Sequence, residues 1–239
     1  TSLTASVLAE AGLDPTFVIG GQLTAAGANA RLGNGEFLVA EADESDGSFL
    51  LLSPVIAIVT NIDRDHLENF GGDFGRVRAA FEQFLHRLPF YGLAVLCVDD
   101  HEVAELAAKT PRRTLTYAIH AEADVTASDV RQQGARMLFD LHLPEHEQAI
   151  PIELNLPGRH NVLNALAACA VGYQLGVSAA AMQKALSSFQ GVGRRFSMRG
   201  DVLHDRGRAQ LVDDYGHHPS ELAAVFEAAR SGWPQKRLV

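Results

Sequence analysis

Two strand endings carry most of the chemistry in this chain. The segments FLVAEADESD (37–46) and VIAIVTNIDRDH (55–66) are short apolar, β-branched runs that stop in carboxylates, asparagine and histidine. Buried parallel strands read as continuous hydrophobic runs, and open α/β sheets bind ligands at the carboxyl ends of such strands. If the two strands are neighbours, Glu41 and His66 face one crevice, the arrangement of a Mg²⁺–nucleotide site. Mg²⁺ takes hard oxygen ligands and borrows others from phosphate and water, with imidazole a less usual partner. The alternative is that Glu41 caps a turn and His66 is a polar loop residue. Asp43, Glu44, Asp46, Asp63 and Asp65 crowd the same edge. Carboxylates packed so closely repel one another unless a cation sits among them, which favours metal.

Three further groups stand out. In GRHNVLN (158–164), His160, Asn161 and Asn164 are spaced three and four apart at a predicted helix start, so they share one face. Asparagine both donates and accepts, which suits an adenine edge; ordinary N-terminal capping is the competing account. Arg194-Arg195, flanked by glycines, offers an adjacent guanidinium pair for phosphate or ribose, or a solvated surface pair. In VDDYGHHPSE (212–221) an apolar strand runs into Asp213, Asp214, Tyr215, His217 and His218, and Pro219 opens a helix. No cysteine or further histidine lies at ligand spacing from that pair, so zinc is discounted. The sequence contains no G-x-x-x-x-G-K-[ST] phosphate loop, although nucleotide chemistry of this kind needs an anion cradle.

The elements that must hold these groups follow from periodicity. Helical spacing covers 1–12, 73–88, 101–109, 159–176, 178–187 and 219–230. Strand patterns fall at 17–21, 37–41, 55–62, 93–98, 113–118, 124–130, 136–143, 149–156, 200–204 and 209–213, with some of the middle ones expected to be antiparallel. Residues 236–239 read as a further strand beginning. This alternation predicts an α/β fold, a mostly parallel sheet flanked by helices with a small antiparallel β region. The glycine- and arginine-rich segment 191–196 marks a boundary, with 1–197 as one domain and 198–239 as the start of another. The formal charge of −9 and the lack of any Lys/Arg run longer than two residues argue against nucleic acid. No apolar stretch of membrane-spanning length and no signal peptide occurs, and Cys97 and Cys169 sit in apolar runs as reduced thiols, so cytoplasm is the default. The first helix opens with nothing before it, and the chain reads as a fragment.

The motifs EADESDGSF, TNIDRDHLENFGGDF, FLHRLPFYG, LPGRHNVLNALAA, FQGVGRRF and VDDYGHHPSE, in this order, closely resemble the Mur ligases. The resemblance spans essentially the whole chain. It implies a central ATP-binding domain of phosphate-loop type and the beginning of a Rossmann-like C-terminal domain. It also implies a GTHGKT-type loop ahead of a helix like 1–12, so that the missing loop reflects truncation. ATP and Mg²⁺ become the expected cofactors, and UDP-N-acetylmuramate and L-alanine the expected small-molecule substrates, in cytoplasmic peptidoglycan synthesis. Carried over position by position, Glu41 and His66 match the Mg²⁺ ligands. His160, Asn161 and Asn164 match the adenine-contacting helix start, Arg195 a nucleotide-contacting arginine, and Asp214 a hinge residue touching ATP. Tyr215 and His217 match positions near the sugar-nucleotide and amino-acid substrates. Several members carry a carbamylated lysine 15 residues after the histidine; here that position is Phe81, which points to the alanine-adding branch. A branch that reattaches recycled tripeptide, a folylpolyglutamate-synthase-like cousin and a non-catalytic nucleotide-binding module are the alternatives. The 239-residue chain by itself is expected not to turn over.

Overall fold

The computed structural model describes residues 1–204 and 207–239. Its largest sheet has six strands in the order β4 (Ile56–Val59), β5 (Leu93–Cys97), β6 (Arg113–Ala118), β7 (Val125–Gln133), β8 (Arg136–His142) and β9 (Ile150–Leu154). Pairing is parallel from β4 to β7 and antiparallel from β7 to β9. A second sheet sets β1 (Thr16–Leu23) between β2 (Ala28–Arg31), antiparallel, and β3 (Leu38–Ala40), parallel. The hairpin β10 (Ser197–His204) and β11 (Gly207–Asp213) stands apart. The fold is the expected α/β class.

Strand β5 shows why the layers form. All five of its residues are buried, and they alternate between two cores. Leu93, Val95 and Cys97 join Leu8 of helix α1 (Ser2–Glu10), Leu166 of α4 (Arg159–Gln174) and Leu186 of α5 (Ala179–Ser187). Ala94 and Leu96 join Val77 and Phe84 of α2 (Phe74–His86) and Val103 of α3 (His101–Lys109) on the other face. A strand turns successive side chains to opposite faces, so an unbroken apolar run needs helices on both sides. Helix α2 starts where Asp73 accepts a hydrogen bond from the Gly75 amide, and Pro89 follows soon after its end. Helix α6 (Pro219–Gly232) completes the chain.

Three expectations change. Strands β3 and β4 are not paired: β3 hydrogen-bonds to β1 in one sheet, while β4 pairs with β5 in another. Glu41 and His66 therefore do not share a crevice by strand adjacency. Residues 236–239 form no strand, and Val239 is fully exposed. The short strand β2 and two 3-10 turns, Ser48–Leu51 and Leu67–Phe70, carry no periodicity and were not expected. Among the described residues no helix is long and apolar enough to cross a membrane.

Candidate functional site

The first cluster gathers at the ends of β3 and β4. Glu41 follows β3 directly, with its amide bonded to the Val18 carbonyl of β1 at 2.9 Å. Its carboxylate lies over Gly20 and is exposed, and among the described residues it accepts no hydrogen bond. His66, half-buried, caps the second 3-10 turn in a left-handed conformation (φ 53°, ψ 27°) that few non-glycine residues adopt. Its amide donates to Asp65 Oδ1 at 2.8 Å, and its Nε2 lies 3.5 Å from Asp65 Oδ2. Loop packing rather than strand pairing joins the two segments. Asn69 Nδ2 donates to the Ser45 carbonyl at 2.7 Å, and Ala42 and Phe49 pack with Val59 and Ile62.

The crowded carboxylates each have a local backbone partner at Asp43, Asp46, Asp63 and Asp65. Asp43, Asp46 and Asp73 each accept the amide two residues on, and Asp63 and Asp65 each accept the following one. Local backbone donors offset part of the charge at these carboxylates. Among the described residues no three His, Cys, Asp or Glu side chains group as a metal site. Mg²⁺ often takes only one or two protein ligands and draws the rest from phosphate and water. An unpartnered carboxylate at Glu41 with an imidazole on the tethered turn fits that pattern.

The second cluster forms at the start of α4. Asn161 Nδ2 donates to the Pro157 carbonyl at 2.8 Å and lies 3.1 Å from His160 Nε2, and Asn164 Nδ2 reaches Asn161 Oδ1 at 3.3 Å. The three residues are thus one hydrogen-bonded chain on one face. Burial lowers the His160 pKa, with Asp214 and Glu227 opposing it and Arg195 adding to it, so the ring is held neutral. Gly158, at φ +93°, caps this helix; a methyl there would meet the His160 ring at 2.6 Å and Ala228 of α6 at 3.0 Å.

The third cluster is the turn between β11 and α6. Asp214 accepts amides from Gly216 and Phe196 at 2.7 Å each, which locks the 194–196 loop to the turn. The Arg194 and Arg195 guanidinium groups stand 4.9 and 5.8 Å from the centre of the Tyr215 ring, which is half-exposed and meets His217 edge-on. Arg195 also reaches Glu221 Oε1 at 3.4 Å, and Glu221 Oε2 accepts the His217 and His218 amides, a capping box for α6. His217 and His218 thus serve as the turn and cap of α6, with no zinc set among the described residues.

A bond the sequence did not announce ties this turn to the first cluster. Ser220 Oγ donates to Asp63 Oδ2 at 2.7 Å, and His218 Nδ1 stands 3.7 Å from the same oxygen. Ser220, Asn69, Gly20 and Gln132 (below) were missed because each acts through contacts remote in sequence. Asn69 and Ser220 at least lie inside the quoted motifs. Phe81 lies 5.3 Å, ring to ring, from Phe49 in the α2 core cluster, so an apolar contact fills the position of the family's lysine.

A family model described as Mur ligase middle domain matches residues 2–172. The UDP-N-acetylmuramate–L-alanine ligase of Xylella fastidiosa (strain M12) is 67% identical over 240 residues, taking in all of this chain and 50% of that protein. The enzyme of the same name from Xanthomonas euvesicatoria pv. vesicatoria (strain 85-10) is 65% identical with the same coverage. The crystal structure of UDP-N-acetylmuramate-alanine ligase from Thermotoga maritima superposes with a TM-score of 0.82 at 30% identity, covering 98% of this chain and 52% of that one. The chain spans about half the length of the curated relatives it matches.

Proposed function

The chain belongs to the Mur ligase family, and on that premise we propose that it supplies the nucleotide-handling part of an ATP-dependent ligase joining L-alanine to UDP-N-acetylmuramate. The observation that carries this reading is the Ser220-to-Asp63 bond, which ties the β11–α6 turn to the strand-end cluster that Asn69 to Ser45 holds together. The relatives' names supply the substrates, and Phe81 in an apolar contact agrees with a branch that uses no carbamylated lysine. ATP, Mg²⁺ and a cytoplasmic setting belong to the same proposal. The boundary at 197/198 is part of it too; it falls one residue inside β10, which starts at Ser197 after the Gly191–Phe196 loop.

In the proposed reaction the muramyl carboxylate attacks the γ-phosphorus of ATP in line, the bond to ADP breaks and an acyl phosphate forms. The amine of L-alanine then attacks the acyl carbon, and phosphate leaves as the nitrogen gives up its proton. Mg²⁺ would offset charge on the transferring phosphoryl group, and Glu41 and His66 would hold it. His160, Asn161 and Asn164 present one neutral hydrogen-bonding face for adenine, and Arg195 and Asp214 border the nucleotide beside it. Tyr215 and His217 line the substrate side of the turn. Such catalysis rests mainly on positioning and electrostatics.

The test is phosphate release by the full-length protein given ATP, Mg²⁺ and UDP-N-acetylmuramate, with L-alanine or a stem tripeptide in turn. Release that depends on L-alanine is expected. Release only with tripeptide moves the chain to the recycling branch, and none with either removes the ligase reading.

A further inference from the structure

The adjacent glycines of β1 divide their two faces between two of the clusters. A methyl at Gly20 would stand 2.8 Å from Glu41 Oε1, and one at Gly21 would stand 2.5 Å from Val192 Cγ1. Neither has the positive φ that calls for glycine, so the constraint is space: at Gly21 against a short branched side chain, and at Gly20 against the movable end of an exposed carboxylate, which a methyl would displace at little cost in stability. Successive residues of a strand face opposite ways, so one peptide unit serves both contacts. The second contact is reinforced by backbone: Gly193 N donates to the Gln22 carbonyl at 2.9 Å, Thr24 N to the Gly191 carbonyl at 3.2 Å, and Leu23 forms a bridge with Val192. The loop so held continues into Arg194 and Arg195, and the Arg194 carbonyl accepts the Tyr215 amide at 2.7 Å.

We propose that Gly20 and Gly21 are positioning residues for the proposed ligase reaction. Gly20 leaves the site in which the Glu41 carboxylate lies, and Gly21 lets the Gly191–Arg195 loop dock on β1. Together they set the spacing between the metal-side carboxylate and the nucleotide-side arginine. This rests on the ligase reading for the roles of Glu41 and Arg195, and on the contacts alone for the docking.

The full-length protein carrying Gly20→Ala, Gly21→Ala, or Gly21→Ala with Val192→Ala is titrated with MgATP, at varied Mg²⁺, by calorimetry and by phosphate release. Gly20→Ala is expected to raise the half-saturating Mg²⁺ concentration about tenfold with little change in nucleotide affinity at saturating Mg²⁺. Gly21→Ala is expected to weaken nucleotide binding about tenfold at unchanged Mg²⁺ dependence, and Val192→Ala, by deleting the colliding methyl, to restore it. Melting temperatures within about 3 °C of wild type separate these effects from unfolding. Wild-type Mg²⁺ dependence in Gly20→Ala, or no rescue of Gly21→Ala by Val192→Ala, overturns the proposal. Wild-type protein that binds MgATP but releases no phosphate with L-alanine defeats the ligase reading alone, because the binding titrations still decide the glycines. Wild-type protein that binds no MgATP defeats both.

Discussion

Glu41 and His66 differ in what holds them, and that sets different experiments. Glu41 is exposed and unpartnered among the described residues, so Glu41→Ala removes the proposed Mg²⁺ ligand without opening a cavity. Turnover of the full-length protein is expected to fall about a hundredfold or more with the melting temperature unchanged; wild-type turnover would remove Glu41 from the site. His66 sits at φ 53°, a backbone state that asparagine tolerates better than alanine. His66→Asn therefore keeps the turn while deleting the imidazole, and a comparable loss of turnover without loss of stability is expected. Asp63 tests the tether to α6. The Ser220 hydroxyl, then the Arg64 amide and His218, hold its carboxyl below the ordinary aspartate range. A depressed folded-state pKa contributes stability above the ordinary value and loses it as pH falls through the folded one. Because Asp63 remains largely in solvent, that contribution is small. The clearer readout is its NMR titration midpoint, which Ser220→Ala is expected to move upward; an unmoved midpoint would mean that the hydroxyl does not reach it in solution.

At the scale of elements, α4 shows how a helix start is bound to its surroundings. Gly158 combines a left-handed backbone with contacts to His160 and Ala228 that leave no room for a methyl. Gly158→Ala is expected to cost about 1–3 kcal/mol and to weaken nucleotide binding, seen as a lower urea midpoint and a higher Kd for MgATP. Helix α2 supplies the contrasting case. Phe81 packs on Phe49, which also lies 5.2 Å from Phe84, and all three belong to the cluster beneath β4 and β5. Phe81→Ala is expected to cost about 2–4 kcal/mol in chemical unfolding and to leave the Mg²⁺ dependence of the remaining activity unchanged. A changed Mg²⁺ dependence would show that this position touches the metal after all. Helices α2 to α6 were legible within two or three residues because their apolar spacing and starting residues, Asp73, Asp100, Ser178 and Pro219, are local signals. Strand β2 was not, because its four residues are mostly exposed and owe their conformation to pairing with β1.

Across the whole molecule, Gln132 sits at the joint between the main body and α6, with one hydrogen bond to α6 and two to the β7–β8 turn and the start of α4. Its Nε2 donates to the carbonyls of Ala228 and Gly134 at 2.9 and 2.8 Å, and its Oε1 accepts the Gly158 amide at 3.2 Å. Gln132→Ala leaves these groups unpaired at a partly buried junction and is expected to cost about 1–3 kcal/mol. Faster amide exchange confined to α6 and the start of α4 would confirm the joint, whereas uniform loss of protection would make it part of the global core. The α/β class, the element order, the two-sided burial of β5 and the chemistry-bearing motifs were determined by the sequence itself. Each depends on residue type and spacing over a dozen positions, where side-chain periodicity and caps act. Which strands pair, how the Ser45 and Asn69 loops are joined, and how the β11–α6 turn meets Asp63 were decided only by the tertiary structure. A parallel pairing partner and a hydrogen bond spanning 157 residues depend on how separate layers pack, and no local pattern encodes that.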